Sequence, residues 1–152
     1  MSDRTTFVFS GEVSHTEVCL RFSGDDLDPD VISDTLMCRP DEGTRRGGRR
    51  LTPRGTETVA QTGVWRKQLA KSTPGNLDRK IDELLACMTN DLDLWRQLTA
   101  KYKADMFCGI FMDEFNQGLT ITPATLSAIG SRGLTLSLDL YGSEAVKTLE
   151  GK

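Results

Sequence analysis

The pattern of apolar residues predicts an α+β protein: a mainly antiparallel sheet with helices packed on it. Three observations carry that expectation. Val18, Leu20 and Phe22 alternate with Cys19 and Arg21, and Leu134, Leu136, Leu138 and Leu140 alternate with Thr135, Ser137, Asp139 and Tyr141; both are the two-residue period of strands. Between them, Leu77, Ile81, Leu84, Leu85, Met88, Leu92, Trp95, Leu98 and Tyr102 recur at steps of mostly three and four, the mark of an amphipathic helix. A strand, then Asp-Pro or Thr-Pro, then a short helix occurs at 20–36 and again at 119–129. That echo suggests a ferredoxin-like sandwich with an additional long helix between its halves.

Taken in order, Thr5–Glu12 with Phe7, Val8 and Phe9 reads as a first strand, joined by a short link to a second at Thr16–Ser23. The stretch Phe22-Ser23-Gly24-Asp25-Asp26-Leu27-Asp28-Pro29-Asp30 then turns a strand into a helix. Gly24 suits a turn with positive φ. Asp28 is placed as the helix N-cap and Pro29 at the first helical position, where its missing N–H costs nothing. The helix runs to about Met37, with Val31, Ile32, Thr35 and Leu36 forming a short helical face and Pro40 beyond it. Residues 39–62 show no apolar periodicity and read as a long, mobile Arg/Gly-rich loop.

Gly63–Leu69 is a short strand with Trp65 and Leu69 on one face and Arg66 and Gln68 on the other. The long helix starts after Pro74-Gly75 with Asn76 as its cap, and Asn90 offers a second cap, so one kinked helix and two abutting helices both fit. Ala104–Asp113 is apolar on both faces and reads as a central strand covered on both sides. Gly118–Thr122 is a short extended piece. A helix from Thr122-Pro123, with Leu126 and Ile129 inward, stops at Gly133. The leucine-rich strand 134–141 follows, and a tail begins at about 143. At 152 residues the whole chain, 1–152, is expected to be one domain.

Composition narrows the function classes. The chain has no apolar run of ~18 residues and no signal-peptide pattern at its start, so a cytoplasmic protein with no membrane partner is expected. Cys19, Cys38, Cys87 and Cys108 are widely spaced and the only histidine is His15. Zinc-ligand spacing is absent, and no cofactor is expected. No phosphate loop, nucleophile elbow or dinucleotide fingerprint is present. Asp113, Glu114 and Asp139 are acids at strand ends, and nothing in the sequence fixes their separation.

The net charge of −3 is unevenly distributed. Segment 43–54 contains Arg45, Arg46, Arg49, Arg50 and Arg54 and no acid, so an acidic chain carries one basic loop. These arginines are a candidate site for a small anion or an acidic protein, because guanidinium forks match carboxylate and phosphate oxygens. No aromatics interleave with them and the chain is acidic overall, so nucleic acid is not the expected partner. Self-association, with the loop of one copy on the acidic corner of another, and closure within one chain are both open. Asp25, Asp26, Asp28 and Asp30 form the candidate acidic site. They could hold a divalent cation, but capping and compensation of the helix dipole account for the same residues. The expected function is therefore that of a small binding or protein-interaction module without catalysis; the alternative is a metal-dependent or acid/base enzyme using the corner Asp25–Asp30.

Three pieces together resemble a bacterial family known as domain of unknown function 4279: the Phe22–Pro29 motif, Gly63-Val64-Trp65, and Met106-Phe107-Cys108-Gly109 before the last helix and strand. The resemblance covers about residues 16–141. It departs from the family pattern at Met37-Cys38-Arg39, where a Leu-Gly ending is usual. It implies a small α+β domain of bacterial or phage origin, and it implies no activity and no catalytic residues.

Overall fold

The computed structural model describes residues 13, 15–69 and 76–142. The expected strand at 5–12 and the tail from 143 lie outside these residues. Strand β1 (His15–Gly24) has the predicted alternation: Val18, Leu20 and Phe22 are fully buried, and Cys19, Arg21 and Ser23 face the other way. The corner that follows is capped as its chemistry predicts. Asp28 accepts a hydrogen bond from the Asp30 N–H at 3.0 Å, and Pro29 opens α1 (Pro29–Leu36). Gly24 does not have positive φ; among the described residues the glycines that do are Gly47, Gly55 and Gly133. Gly24 is required for a different reason: a Cβ there would lie 2.9 Å from the Tyr102 ring.

Helix α1 ends with Met37 in the left-handed region (φ 58°, ψ 37°), a conformation that favours glycine. The Cys38 N–H closes the motif on the Ser33 carbonyl at 3.1 Å. An L-residue in this conformation costs about 1–2 kcal/mol, part of which glycine returns through its greater freedom when unfolded. The Met37 side chain is 79% exposed and contributes little packing. Met37→Gly is therefore expected to stabilise the protein by about 0.5–1 kcal/mol. A denaturation midpoint that does not rise would show that the left-handed turn carries no strain.

The segment read as a loop contains three short strands. β2 (Glu42–Thr44) joins the main sheet, whereas β3 (Arg49–Leu51) and β4 (Glu57–Val59) form a separate two-stranded ladder. All of β4 is exposed. A hairpin that buries no face has no reason to alternate polar and apolar residues, so periodicity could not mark it.

β5 (Gly63–Gln68) returns along β1. The long helix is two helices, α2 (Leu77–Ala86) and α3 (Leu92–Lys101). Asn76 caps α2, accepting from the Arg79 N–H at 2.8 Å. Asp91, not Asn90, caps α3, accepting from Asp93 N–H at 3.0 Å. Asn90 instead accepts from Arg132, a buried guanidinium that also reaches the Ala128 carbonyl and lies 5.4 Å from the Trp95 ring. β6 (Lys103–Phe111), α4 (Pro123–Ser131) and β7 (Thr135–Tyr141) complete the order. Gly133 takes the left-handed stop (φ 75°) as predicted. On α4, Ile129 is buried as predicted, but Leu126 is half exposed and Thr125 takes the inward place.

The main sheet has the order β2-β5-β1-β6-β7, antiparallel throughout except for the parallel pair β6–β7. β1, α1 and β2 form a split unit with β5 inserted between the two strands. β5, the α2–α3 pair and β6 form a second, with β1 between them. This interleaving is the ferredoxin-like arrangement. The second unit is thus not the one at 119–129: α4 and β7 are an addition that extends the sheet beyond β6. The helices bury one face, with Ile81 of α2 and Trp95 of α3 in one core with Leu20, Phe22, Trp65 and Met106 of the sheet. Among the described residues β6 is accordingly covered on one side only, with Asp105, Phe107 and Phe111 half buried on the other. Among the described residues no helix is long and apolar enough to cross a membrane.

Candidate binding surface

The acidic corner and the arginine hairpin meet within one chain. One oxygen of Asp28 caps α1, and the other accepts from Arg45 at 2.7 Å, with Asp30 at 3.8 Å from the same guanidinium. Arg46 lies 3.4 Å from Asp25, and Arg49 lies 3.5 Å from Glu57 across the hairpin. Arg50 is paired with Glu42 of β2. Four of the five candidate arginines therefore face a carboxylate of their own chain; Arg54 has no ion-pair partner among the described residues. Most of these side chains are well exposed, so each pair contributes only about 0–1 kcal/mol. Asp25, Asp26, Asp28 and Asp30 do not converge: among the described residues no group of three acid, histidine or cysteine side chains is placed to hold a metal ion.

A second cluster lies on the sheet face that the helices leave open. The register sets Arg21 of β1 between Arg66 of β5 and Asp105 of β6, and places Lys103 beside Ser23. These residues border a concavity of about 390 Å³, with Val64 and Ser137 completing its wall. Arg21 grips Asp105 in a two-pronged pair, Nε to Oδ1 at 2.8 Å and Nη2 to Oδ2, and its guanidinium stacks 4.2 Å from the Phe107 ring. Burial by itself would raise the Asp105 pKa, but hydrogen bonds from Arg21 and Ser137 outweigh it and hold the carboxyl below its ordinary range. Arg66 is less well satisfied. Its Nη1 is 3.7 Å from Glu42, which Arg50 already engages, and its buried Nε has no hydrogen-bond partner among the described residues. Three cations thus meet one fully engaged carboxylate, with Glu42 at the rim.

Sequence reasoning placed Arg21 and Arg66 on the outward side of their strands but did not bring them together. They are 45 positions apart in the chain, and only the antiparallel register of β1 and β5 makes them neighbours.

The two thiols inside the sheet, Cys19 and Cys108, are not activated. Burial pushes the Cys19 thiol up to about 11 and that of Cys108 up to about 12, and neither pairs with the imidazole of His15, whose nearest charged neighbour is Glu17. Among the described residues all four cysteines are free.

A family model described as Domain of unknown function (DUF4279) matches residues 14–143, and the chain belongs to that family. No curated protein and no solved structure matches it.

Proposed function

We propose that this family member is a binding module without catalysis, and that it captures a small anionic group, a carboxylate or a phosphate, on the open face of its sheet. The observation that supports this most strongly is Arg66. Its guanidinium is only loosely paired and keeps a buried donor unused, and it lines, together with Lys103 two strands away, a concavity large enough for a small anion. The exposed Nη groups of Arg66 are the donors an anion would meet, and a small turn of the guanidinium toward it would also relieve the cost of the unpaired Nε, about 1–3 kcal/mol for a buried donor. Arg21 has a supporting role, since Asp105 already occupies it. The arginine hairpin is the less favoured surface, because Arg45, Arg46, Arg49 and Arg50 would have to give up carboxylates in their own chain before taking one from a partner.

Citrate tests the reading. A ligand that binds only the native state raises its stability with the logarithm of concentration, by about 2.7 kcal/mol at a hundred times Kd. Citrate is expected to raise the melting temperature of the wild type well beyond sodium chloride at matched ionic strength. The double variant Arg66→Ser with Lys103→Ser should lose that rise, and Arg45→Ser with Arg46→Ser should keep it. A rise equal to that in sodium chloride, or one that survives in the Arg66/Lys103 variant, would remove the open face as the site.

A further inference from the structure

The two edges of the main sheet differ. β2 offers three residues at one edge, and β7 offers seven at the other. An edge strand presents unpaired N–H and C=O groups, and proteins that must stay monomeric protect such edges with lysine, proline, bulges or extreme shortness. β7 has none of these. It pairs with β6 one residue for one from Thr135 to Tyr141, contains no lysine, arginine or proline, and its single charged residue is Asp139. The leucines of this strand share the face on which the helices pack. Their partners on β6, Cys108 and Ile110, are buried. Yet Leu138 is 46% and Leu140 65% exposed. The apolar wall thus continues one strand past the covered core and stops at an edge that pairs with no other strand among the described residues.

We propose that β7 is the contact edge of a homodimer, in which two copies pair their β7 strands antiparallel about a two-fold axis at Leu138 and join their sheets into one. The side-chain pattern selects this occupant and this register. Centred on Leu138, the pairing uses all seven residues of each strand. On the helix-bearing face, Leu136, Leu138 and Leu140 of one copy meet Leu140, Leu138 and Leu136 of the other. On the open face, Asp139 meets Ser137, and Thr135 meets Tyr141. A centre one residue further, on Asp139, would set two like charges directly opposite, which is destabilising. Within its own strand Asp139 already accepts from the Tyr141 hydroxyl at 2.7 Å, so the one charge on the edge is turned along the open face. The axis runs through the sheet, so both open faces point the same way and each Arg66–Lys103 concavity stays accessible.

Sedimentation or light scattering of the full chain at micromolar concentration should give twice the chain mass. Leu138→Lys with Leu140→Lys is expected to halve that mass while circular dichroism and the folded signal persist, because both side chains are exposed in one copy. Cysteine placement tests the register. Leu138→Cys should oxidise to a covalent dimer above the background of the native thiols. Asp139→Cys should not, since the two thiols would sit diagonally, beyond the ~7 Å Cα separation that a disulfide tolerates. A monomeric wild type, or a dimer that survives both lysines, would overturn the proposal; cross-linking at 139 and not at 138 would overturn its register.

Discussion

Trp65→Ala is expected to lower the stability of the protein by about 3–5 kcal/mol, the range for removing a fully buried aromatic side chain. Trp65 has no exposed surface and sits where three elements meet. Its ring packs edge-on to Phe22 of β1 at 5.8 Å, and Phe22 stacks in turn on Trp95 of α3 at 6.3 Å. Its indole N–H donates to the Ser33 hydroxyl at 3.0 Å, and Ser33 donates to the Pro29 carbonyl at 2.8 Å, which fastens β5 to α1. Alanine removes the apolar contact, leaves a cavity, and breaks this tie. Domain stabilities are typically about 5–15 kcal/mol, so the loss is a large share of the whole. For a chain of this size each kcal/mol moves the midpoint by about 2–4 °C, so Tm should fall by roughly 6–20 °C. The open face feels the change as well. Arg66 is the next residue on β5 and points to the other side, so citrate stabilisation should weaken in the variant although no anion contact has been altered. A loss below about 1 kcal/mol in urea would mean the site collapses without a cavity, contrary to its packing.

What could be read from the sequence was what depends on neighbours along the chain. Asp28 and Pro29 announce a helix start because capping chemistry is local. The alternation in β1 and β7 announces strands because side chains two apart share a face. What depends on distant pairing could not be read. Which strand flanks β1 decides whether Arg21 meets Asp105, and no local pattern specifies it. The second split unit proved to be β5, α2–α3 and β6, since an echo of strand, proline and helix does not report where a strand inserts. Lys80 reads as a solvated helix position, yet it is buried and donates to the Thr16 carbonyl at 2.6 Å, pinning α2 to β1. Arg132 is similar: its sequence context suggests a helix end at the surface, and its burial comes from Trp95 and Asn90 closing over it. The arginine loop was legible as a charge anomaly. Its answer, the pairs with Asp25, Asp28, Glu42 and Glu57, needed three dimensions.

Gly63→Ala should be the most damaging of the glycine substitutions in the main sheet, at about 3 kcal/mol, the upper end of the usual cost of forcing atoms into a closed site. Gly63 pairs with Gly24 where β5 passes the corner. A Cβ at Gly63 would lie 2.8 Å from the Gly24 carbonyl oxygen, 2.8 Å from the Leu27 carbonyl oxygen and 2.8 Å from the Leu27 Cβ. Two of these are backbone atoms, so no rotamer change relieves the contact. The chain must separate β5 from the corner, and the corner carries Asp25 and Asp28, the partners of Arg46 and Arg45. Loss of stability should therefore come with release of the arginine hairpin, seen as faster proteolysis after Arg45 or Arg46 under native conditions. Gly130→Ala is the matched control. It lies within α4, a Cβ there meets nothing within 4 Å, and its φ is not positive. Alanine at a helical position of this kind should stabilise by about 0.5–1 kcal/mol. Opposite signs for the two variants in urea, with m unchanged, would show that close approach of backbone to backbone, and not glycine's flexibility, is what the chain needs at position 63. If Gly63→Ala is tolerated as well as Gly130→Ala, the corner is not seated on β5 as described, and the pairing of the hairpin with the acidic corner loses its foundation.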